Sequence, residues 1–241
     1  MKRSLAFAFL LLSSSLAGAT PYMDFETQVR DGLIKPFALD LGGLFGSLGF
    51  YTGRSLGMPG FEFGGTAEFQ TKPDKNDLVM RNAGVRGFGL PAAYAAVGLP
   101  LKFDLAAHGM KAQGVSLVGG GLRYCAFKTG LATKFLPSVG FSAFGDRVTH
   151  EDFTADHVGL NAQASWDLPF VDPWVGAGLD STRVKVRNAT FPGVSGLSAS
   201  ATGSRFAAGL EVTPFPFLRI DAAYLVLHGV PGGRISAGVK F

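Results

Sequence analysis

The chain has 241 residues, with 22 Lys and Arg against 18 Asp and Glu, 34 Gly, 22 Phe and one cysteine. A single thiol excludes an internal disulfide framework. Without Lys2 and Arg3, which belong to a leader, 20 basic residues face 18 acidic ones, a balance that argues against a nucleic-acid partner.

Met1 to Ala19 reads as a secretory signal, with Lys2 and Arg3 before a short apolar core, Ser4 to Leu12, and a small-x-small cleavage pattern at Ala17-Gly18-Ala19. About 222 residues remain, enough for one closed barrel or sandwich. After the signal no run of 18 apolar residues occurs, so any membrane crossing must be made by strands.

Tyr22 to Leu39 is the one helix-like piece. Tyr22, Phe25, Val29 and Leu33 recur at helical spacing among Asp24, Glu26, Gln28, Arg30 and Asp31, and Gly32 and Pro36 weaken or end the pattern. Residues 20–43 are expected as a short surface helix or as a plug lodged in a barrel. As a plug it would close the periplasmic half of the bore, with Asp24 and Glu26 meeting Arg205, Arg219 or Arg234. Residues 44–241 are assigned to the barrel.

From Asp40 to Gln70 the chain is rich in glycine and aromatics. Leu44–Thr52 reads as a first strand, Thr52 to Gly60 as a hairpin loop, and Phe61, Phe63, Ala67 and Phe69 as one face of a second strand, opposite Glu62, Thr66, Glu68 and Gln70. This block resembles the N-terminal part of an uncharacterised bacterial outer-membrane family, a likeness that implies location and no activity. Thr71 to Leu90, with its solvated run around Pro73, reads as a connection on the periplasmic side.

Alternation is clearer beyond it. Ala95, Val97, Leu99, Leu101, Phe103 and Leu105 oppose Lys102 and Asp104, then Val118, Leu122, Tyr124 and Ala126 oppose Arg123. Phe135, Val139, Phe141 and Ala143 oppose Ser138, Ser142 and Asp146, and Val158 to Leu168 alternate with Asn161, Gln163, Ser165 and Asp167. In the next segment Val175, Ala177 and Leu179 give way to Val184 and Val186 beyond Asp180, a change of phase expected from a bulge or an exit from the membrane band. Phe206 to Val212 oppose Arg205 and Glu211, and Leu218 to Val226 oppose Arg219 and Asp221.

The last stretch, Gly233 to Phe241, sets Ile235, Ala237, Val239 and Phe241 against Arg234, Ser236, Gly238 and Lys240. It resembles the C-terminal signal strand of bacterial outer-membrane β-barrels, which implies recognition by the barrel-assembly machinery. The expected fold is all-β, a closed antiparallel up-and-down transmembrane β-barrel of about ten strands, with eight as the alternative and a short N-terminal helix. Links at 128–130, 169–173 and 213–216 would fall on the periplasmic side, and those at 106–113, 147–156 and 188–199 on the outer side. Phe103, Phe135, Trp166, Phe170, Trp174, Phe215, Phe217 and Phe241 would form interfacial girdles.

These registers point Glu62, Glu68, Lys102, Asp104, Arg123, Asp146, Asp167, Arg205, Glu211, Arg219, Asp221, Arg234 and Lys240 into the lumen. They would form a neutralising ion-pair network or line a narrow charged pore, and ten strands leave little free bore. His108, His150, His157 and His228 are expected at the outer rim. His150, Asp152 and His157 form the one candidate metal or water-activating cluster. Cys125, placed beside lipid or at the periplasmic rim, is read as an inert small residue. The expected function is a non-enzymatic barrel of the bacterial outer membrane, structural or passing or binding a small or lipidic molecule, with lipid as its surroundings and no cofactor. The alternative is a barrel enzyme, a lipid or peptide hydrolase or acyltransferase, working near His150 and His157.

Overall fold

The computed structural model describes residues 21–130 and 135–241. The signal-like stretch 1–19 lies outside the described residues. The wall consists of β1 (Phe61–Gln70), β2 (Phe88–Gly98), β3 (Phe103–Ala112), β4 (Val115–Phe127), β5 (Ser138–Thr149), β6 (Phe153–Ser165), β7 (Val171–Val186), β8 (Ser198–Phe215), β9 (Leu218–Leu227) and β10 (Val230–Lys240). Each pairs antiparallel with its sequence neighbours, and β1 pairs with β10 to close the ring. At the seam Phe61 and Phe241 exchange both backbone hydrogen bonds, at 3.0 and 2.8 Å, and their rings stack 4.8 Å apart. Closure leaves no unpaired edge in the wall. The end holding Phe61 and Phe241 is the proximal end below, and the other is distal.

A side-chain period of two sorts the strands into an apolar outside and a mixed inside. On β6, Val158 and Leu160 are more than 60% exposed, while His157, Asn161, Gln163 and Ser165 are buried. The same contrast holds on β8 between exposed Phe206 and buried Arg205, and on β9 between exposed Tyr224 and buried Asp221. The links sort as their composition suggests, with 128–130, 135–137, 166–170 and 216–217 proximal and 113–114, 150–152 and 187–197 distal.

Residues 21–60 run down the bore. Helix α1 (Phe25–Gln28) and helix α2 (Ile34–Ser47) are followed by an irregular descent to β1. Pro36 stands in the first turn of α2, where no N–H partner is needed, so it begins the helix that it was expected to end. The chain starts at the distal end. There the rings of Tyr22, Phe25 and Phe37 pack around Phe153 with centroids 5.9, 4.8 and 5.1 Å away. The Thr190 N–H donates to the Glu26 carbonyl at 2.9 Å, and the Arg30 guanidinium lies over the Phe191 ring. Ile34, Phe37, Leu41, Leu44 and Phe45 of α2 are buried against Val115, Leu117, Val148, Ala155, Val184, Val186, Leu225 and Leu227, which point inward from the wall. The distal half of the bore is therefore a hydrophobic core, and the proximal half is polar.

This interior corrects several expectations. Leu44–Thr52 is not a strand; its first residues finish α2 because the apolar ones meet an apolar wall. Thr52 to Gly60 is not a hairpin loop but the end of the descent. The stretch read as one strand over 95–105 is the end of β2 and the start of β3, divided at Pro100–Lys102, where Leu101 and Lys102 take φ of 60° and 66°. One strand is thus lost and another gained, and the count stays at ten. The link 71–87 lies at the distal end, opposite the links 128–130, 166–170 and 216–217 with which it was expected to share a side, and contains helix α3 (Leu78–Asn82), capped by Asp77 accepting from the Met80 N–H at 3.1 Å. β7 pairs without interruption on both sides, so no bulge turns Val184 and Val186 around. They keep the inward phase of Asp172, Trp174, Asp180 and Thr182 and turn apolar only where α2 covers them. Trp174 and Cys125 also face inward and are buried, not set in a girdle or against lipid.

Because Phe37 joins the helix to both Phe25 and Phe153, Phe37→Ala should destabilise the protein by about 3–5 kcal/mol. The expected sign is a lower temperature for conversion of the compact, fast-migrating species to the unfolded one on unheated gels.

Candidate functional site: the charged bore and its N-terminal filler

The inward face of the proximal half is built by alternate positions on all ten strands, and the descending chain fills the space between them. Ten of the thirteen charges assigned to the lumen are buried inside the ring, from Glu62 and Arg219 near the proximal mouth to Glu68 and Asp146 above the middle: Glu62, Glu68, Asp104, Arg123, Asp146, Arg205, Glu211, Arg219, Asp221 and Arg234. Lys240 is half-buried at the proximal mouth. Lys102 and Asp167 are exposed and do not enter the lumen, because Lys102 belongs to the Pro100–Lys102 turn and Asp167 follows the end of β6.

Arg205 occupies the centre and is fully buried. Its Nε donates to Asp180 at 2.5 Å and an Nη to Asn161 at 3.1 Å, with its guanidinium 5.4 Å over the Phe50 ring. Gly46 of α2 lies directly against this guanidinium, and a Cβ there would collide with it. Glycine is thus what lets the helix reach the wall at this level. On the other side of the descent, Arg234 donates to the Phe50 carbonyl at 2.8 Å and pairs with Asp221 at 3.3 Å. Asp221 in turn accepts from the Trp174 indole at 2.6 Å. Glu68 receives the Ser47 hydroxyl, which ends α2 on the wall.

Lower down, Arg219 bridges Glu62 at 2.8 Å and Glu211 at 3.2 Å. Arg54 comes from the filler itself and meets Asp172, Asp167 and Glu211. The Ser55 hydroxyl and the Leu56 N–H both donate to Asp104, at 2.8 and 3.0 Å. Arg123 lies 4.9 Å over the Tyr51 ring, and the Tyr51 hydroxyl donates to the Phe141 carbonyl at 3.1 Å. Nearly every level of the descent is therefore tied to the wall by a polar contact.

The histidines are not gathered at a rim. His108 and His157 face inward and grip the two oxygens of Asp146, each at 2.6 Å. His228 reaches Asp180 at 2.9 Å and the Leu39 carbonyl at 2.7 Å. His150 stays in the distal link, its Nδ1 accepting from the Asp152 N–H at 3.2 Å, and burial pulls its pKa below the ordinary imidazole value. The candidate trio His150, Asp152 and His157 is thus divided between a link and the lumen. Among the described residues no group of His, Cys, Asp and Glu has the geometry to hold a metal ion. His157 is thus engaged with Asp146 in the lumen, while His150 keeps Asp152 within 3.6 Å in the distal link.

Sequence reading did not assign Arg54, Asp180 or Asp172 to the network. The signal for Asp172 and Asp180 lies in the even-numbered period of β7, obscured by the apolar Val184 and Val186. Arg54 was hidden by its place in a segment taken for a loop.

The distal end is held by a different device. Asp40 of α2 accepts from the Gln70 amide and the Asp74 N–H, both at 2.8 Å, and faces the buried carboxyl of Asp77 in the link 71–87. Burial and the neighbouring Asp40 push the Asp77 pKa up to about 8.

No family model and no curated protein matches the chain. Among solved structures it is similar to Ail, the attachment invasion locus protein of Yersinia pestis, at 15% identity over 76% of this chain and 100% of that one, with a TM-score of 0.32. It is also similar to Neisserial surface protein A (16%, 75% and 95%, TM-score 0.32). A third is the N-terminal β-barrel domain of Pseudomonas aeruginosa OprF (14%, 77% and 99%, TM-score 0.37). Likeness at that level carries no argument about activity or partners, and the barrel stands on its own strand pairing.

The Asp40–Asp77 contact gives a pH-dependent prediction. A carboxyl with a raised folded pKa binds its proton more tightly folded than unfolded, so the link is held most firmly below about pH 4 and loosens as pH climbs towards about 8. Protection factors for hydrogen exchange in residues 71–87, which divide out the base-catalysed intrinsic rate, should be higher at pH 6 than at pH 9. Asp77→Asn, which keeps a capping side chain, should flatten that difference.

Proposed function

We propose that the chain is a bacterial outer-membrane β-barrel, non-enzymatic and closed by its own N-terminal segment, with the proximal end in the periplasm and the distal end outside. The observation that carries this reading is the path of residues 21–60, which fill the bore from Tyr22 at the distal mouth to Leu56 at the proximal one. The outward faces support the membrane setting. Phe63, Leu105, Leu122, Phe141, Leu160, Leu179, Phe206, Leu210 and Tyr224 are all exposed on the outside of a ring with no free edge. In lipid the backbone must be satisfied internally, and a closed ring does this.

A narrow charged pore is the less favoured version of this function. Most of the lumen charges pair with one another or with the filler, and Arg234, Asp104 and Asp172 reach the filler directly, so the network serves to hold the segment in place. Passage of a solute would require residues 48–60 to leave Asp104, Arg234 and Asp172. A structural role, or one that presents the distal surface, follows most directly. Recognition of the β10 strand ending at Phe241 by the assembly machinery belongs to the same proposal, as does removal of residues 1–19 on export.

Two measurements test it. In planar bilayers the intact protein should stay closed, whereas Gly46→Trp, which drives α2 away from Arg205, should give discrete openings; steady open-pore conductance in the unmodified protein would overturn the plugged reading. For the membrane setting, Ala162→Arg, mid-height on the outer face of β6, should cost about 2–4 kcal/mol of folding stability in vesicles. Ser200→Arg, beyond the apolar band on β8, should cost close to nothing, and equal costs would overturn the band.

A further inference from the structure

β7 and β8 are the longest strands, with 16 and 18 residues, and together with the distal ends of β5 and β6 they carry the outside of the barrel past its apolar band. Their registers define three cross-strand rows on that outer face. The lowest is Gly145, Val158, Ser181 and Thr202; the next is Arg147, Asp156, Arg183 and Ser200; the last is Thr149, Thr154, Lys185 and Ser198. Arg147, Arg183 and Lys185 are exposed, and Asp156 is the one acid in these rows. Asp156 pairs with Arg147 at 3.6 Å, and Arg183 donates to the Ser198 hydroxyl at 3.2 Å. Positive charge is therefore left over, beside a ladder of hydroxyls at Ser198, Ser200, Thr202 and Ser204.

Immediately below lies an open depression of about 860 Å³ on the outside of the same four strands. Its walls are Val158, Leu160 and Leu179, and its floor is low at Gly145 and Ala143, where little or no side chain stands between them. An apolar trough leading up to a cationic, hydroxyl-lined face matches an amphiphile with acyl chains below and anionic groups above.

Resting on the membrane reading above, we infer that this face of β5–β8 binds an acylated glycolipid of the outer leaflet that carries phosphate groups. The acyl chain lies in the trough between Val158, Leu160 and Leu179. Phosphates meet the guanidinium groups of Arg147 and Arg183, which favour phosphate through paired N–H donors, and Lys185. Arg147 and Arg183 stand two strands apart, roughly 10 Å. That span is wider than one phosphate and suits a saccharide head bearing two anionic groups. The serine and threonine hydroxyls face the sugar.

The test uses the full-length protein reconstituted in nanodiscs with bis-phosphorylated lipid A or with phosphatidylglycerol, and reads bound lipid after exchange. Lipid A should be retained at least tenfold better than phosphatidylglycerol. The Arg183→Glu/Lys185→Glu pair should remove that preference, and so should Gly145→Trp, which fills the trough without touching a charge. Lys75→Glu, a charge reversal in the distal link, should leave it intact. Equal retention by all variants would overturn the site, and equal retention of the two lipids would overturn the glycolipid. Binding of a soluble sulfated polysaccharide to this face, with no lipid retained, would reassign it to an extracellular polyanion. Every variant is checked for the compact form on unheated gels. A protein soluble without detergent would instead overturn the membrane reading itself.

Discussion

The structure depends on how the space inside a ring of ten strands is filled. Such a ring is too narrow for a wide aqueous channel and too wide for its own inward side chains to close. Here the remainder is supplied in cis by residues 21–60. This explains why the inside of the wall has two characters. Where α2 passes, the wall offers Val184, Val186, Leu225 and Leu227, and burial of apolar surface holds the helix. Where the chain loses helical structure, its free carbonyls and N–H groups need partners, and the wall offers Arg234, Ser142 and Asp104 to meet them.

The buried charges follow from the same constraint. A guanidinium as deep as that of Arg205 is tolerable only with a carboxylate and further acceptors around it, and Asp180 and Asn161 provide these. Asp180 also receives His228, which holds the Leu39 carbonyl of the helix, so one carboxylate ties β7, β8, the turn after β9 and α2 together. The network is better described as the fitting of a plug than as the lining of a pore.

Much of the wall was legible in the sequence because alternation is a local property. Leu160 and Asn161 need only their neighbours to reveal their faces, and the short links after β6 and β8 fall at one end of the ring, as their composition suggests. The interior was less legible because inward positions do not have to be polar. Val184 and Val186 resemble lipid-facing residues until a helix is placed against them, and Leu44 to Ser47 resemble strand residues until the same helix is continued. Among the charges, Arg205 and Asp221 could be assigned from strand phase. The partner of Arg54 could not, because it depends on where a non-repetitive segment travels in three dimensions. His157 is expected at the outer rim because the neighbouring link reads as 147–156, whereas the link is only residues 150–152.

The path of the filler also constrains the order of assembly. Its α2 helix sits inside a ring whose sequence-distant closure is the β1–β10 seam, and it joins that ring only through the proximal stretch before Phe61. Completing the ring first would require feeding residues 21–47 through a bore already crowded by Arg205, Trp174 and Phe153. If instead the strands wrap around the segment, it acts as a mandrel, giving β6 to β8 a surface to fold against before the last pair is joined. The seam then zips along glycine-rich partners, Gly64 with Gly238 and Gly65 with Ala237, whose small side chains offer little obstruction to the final pairing.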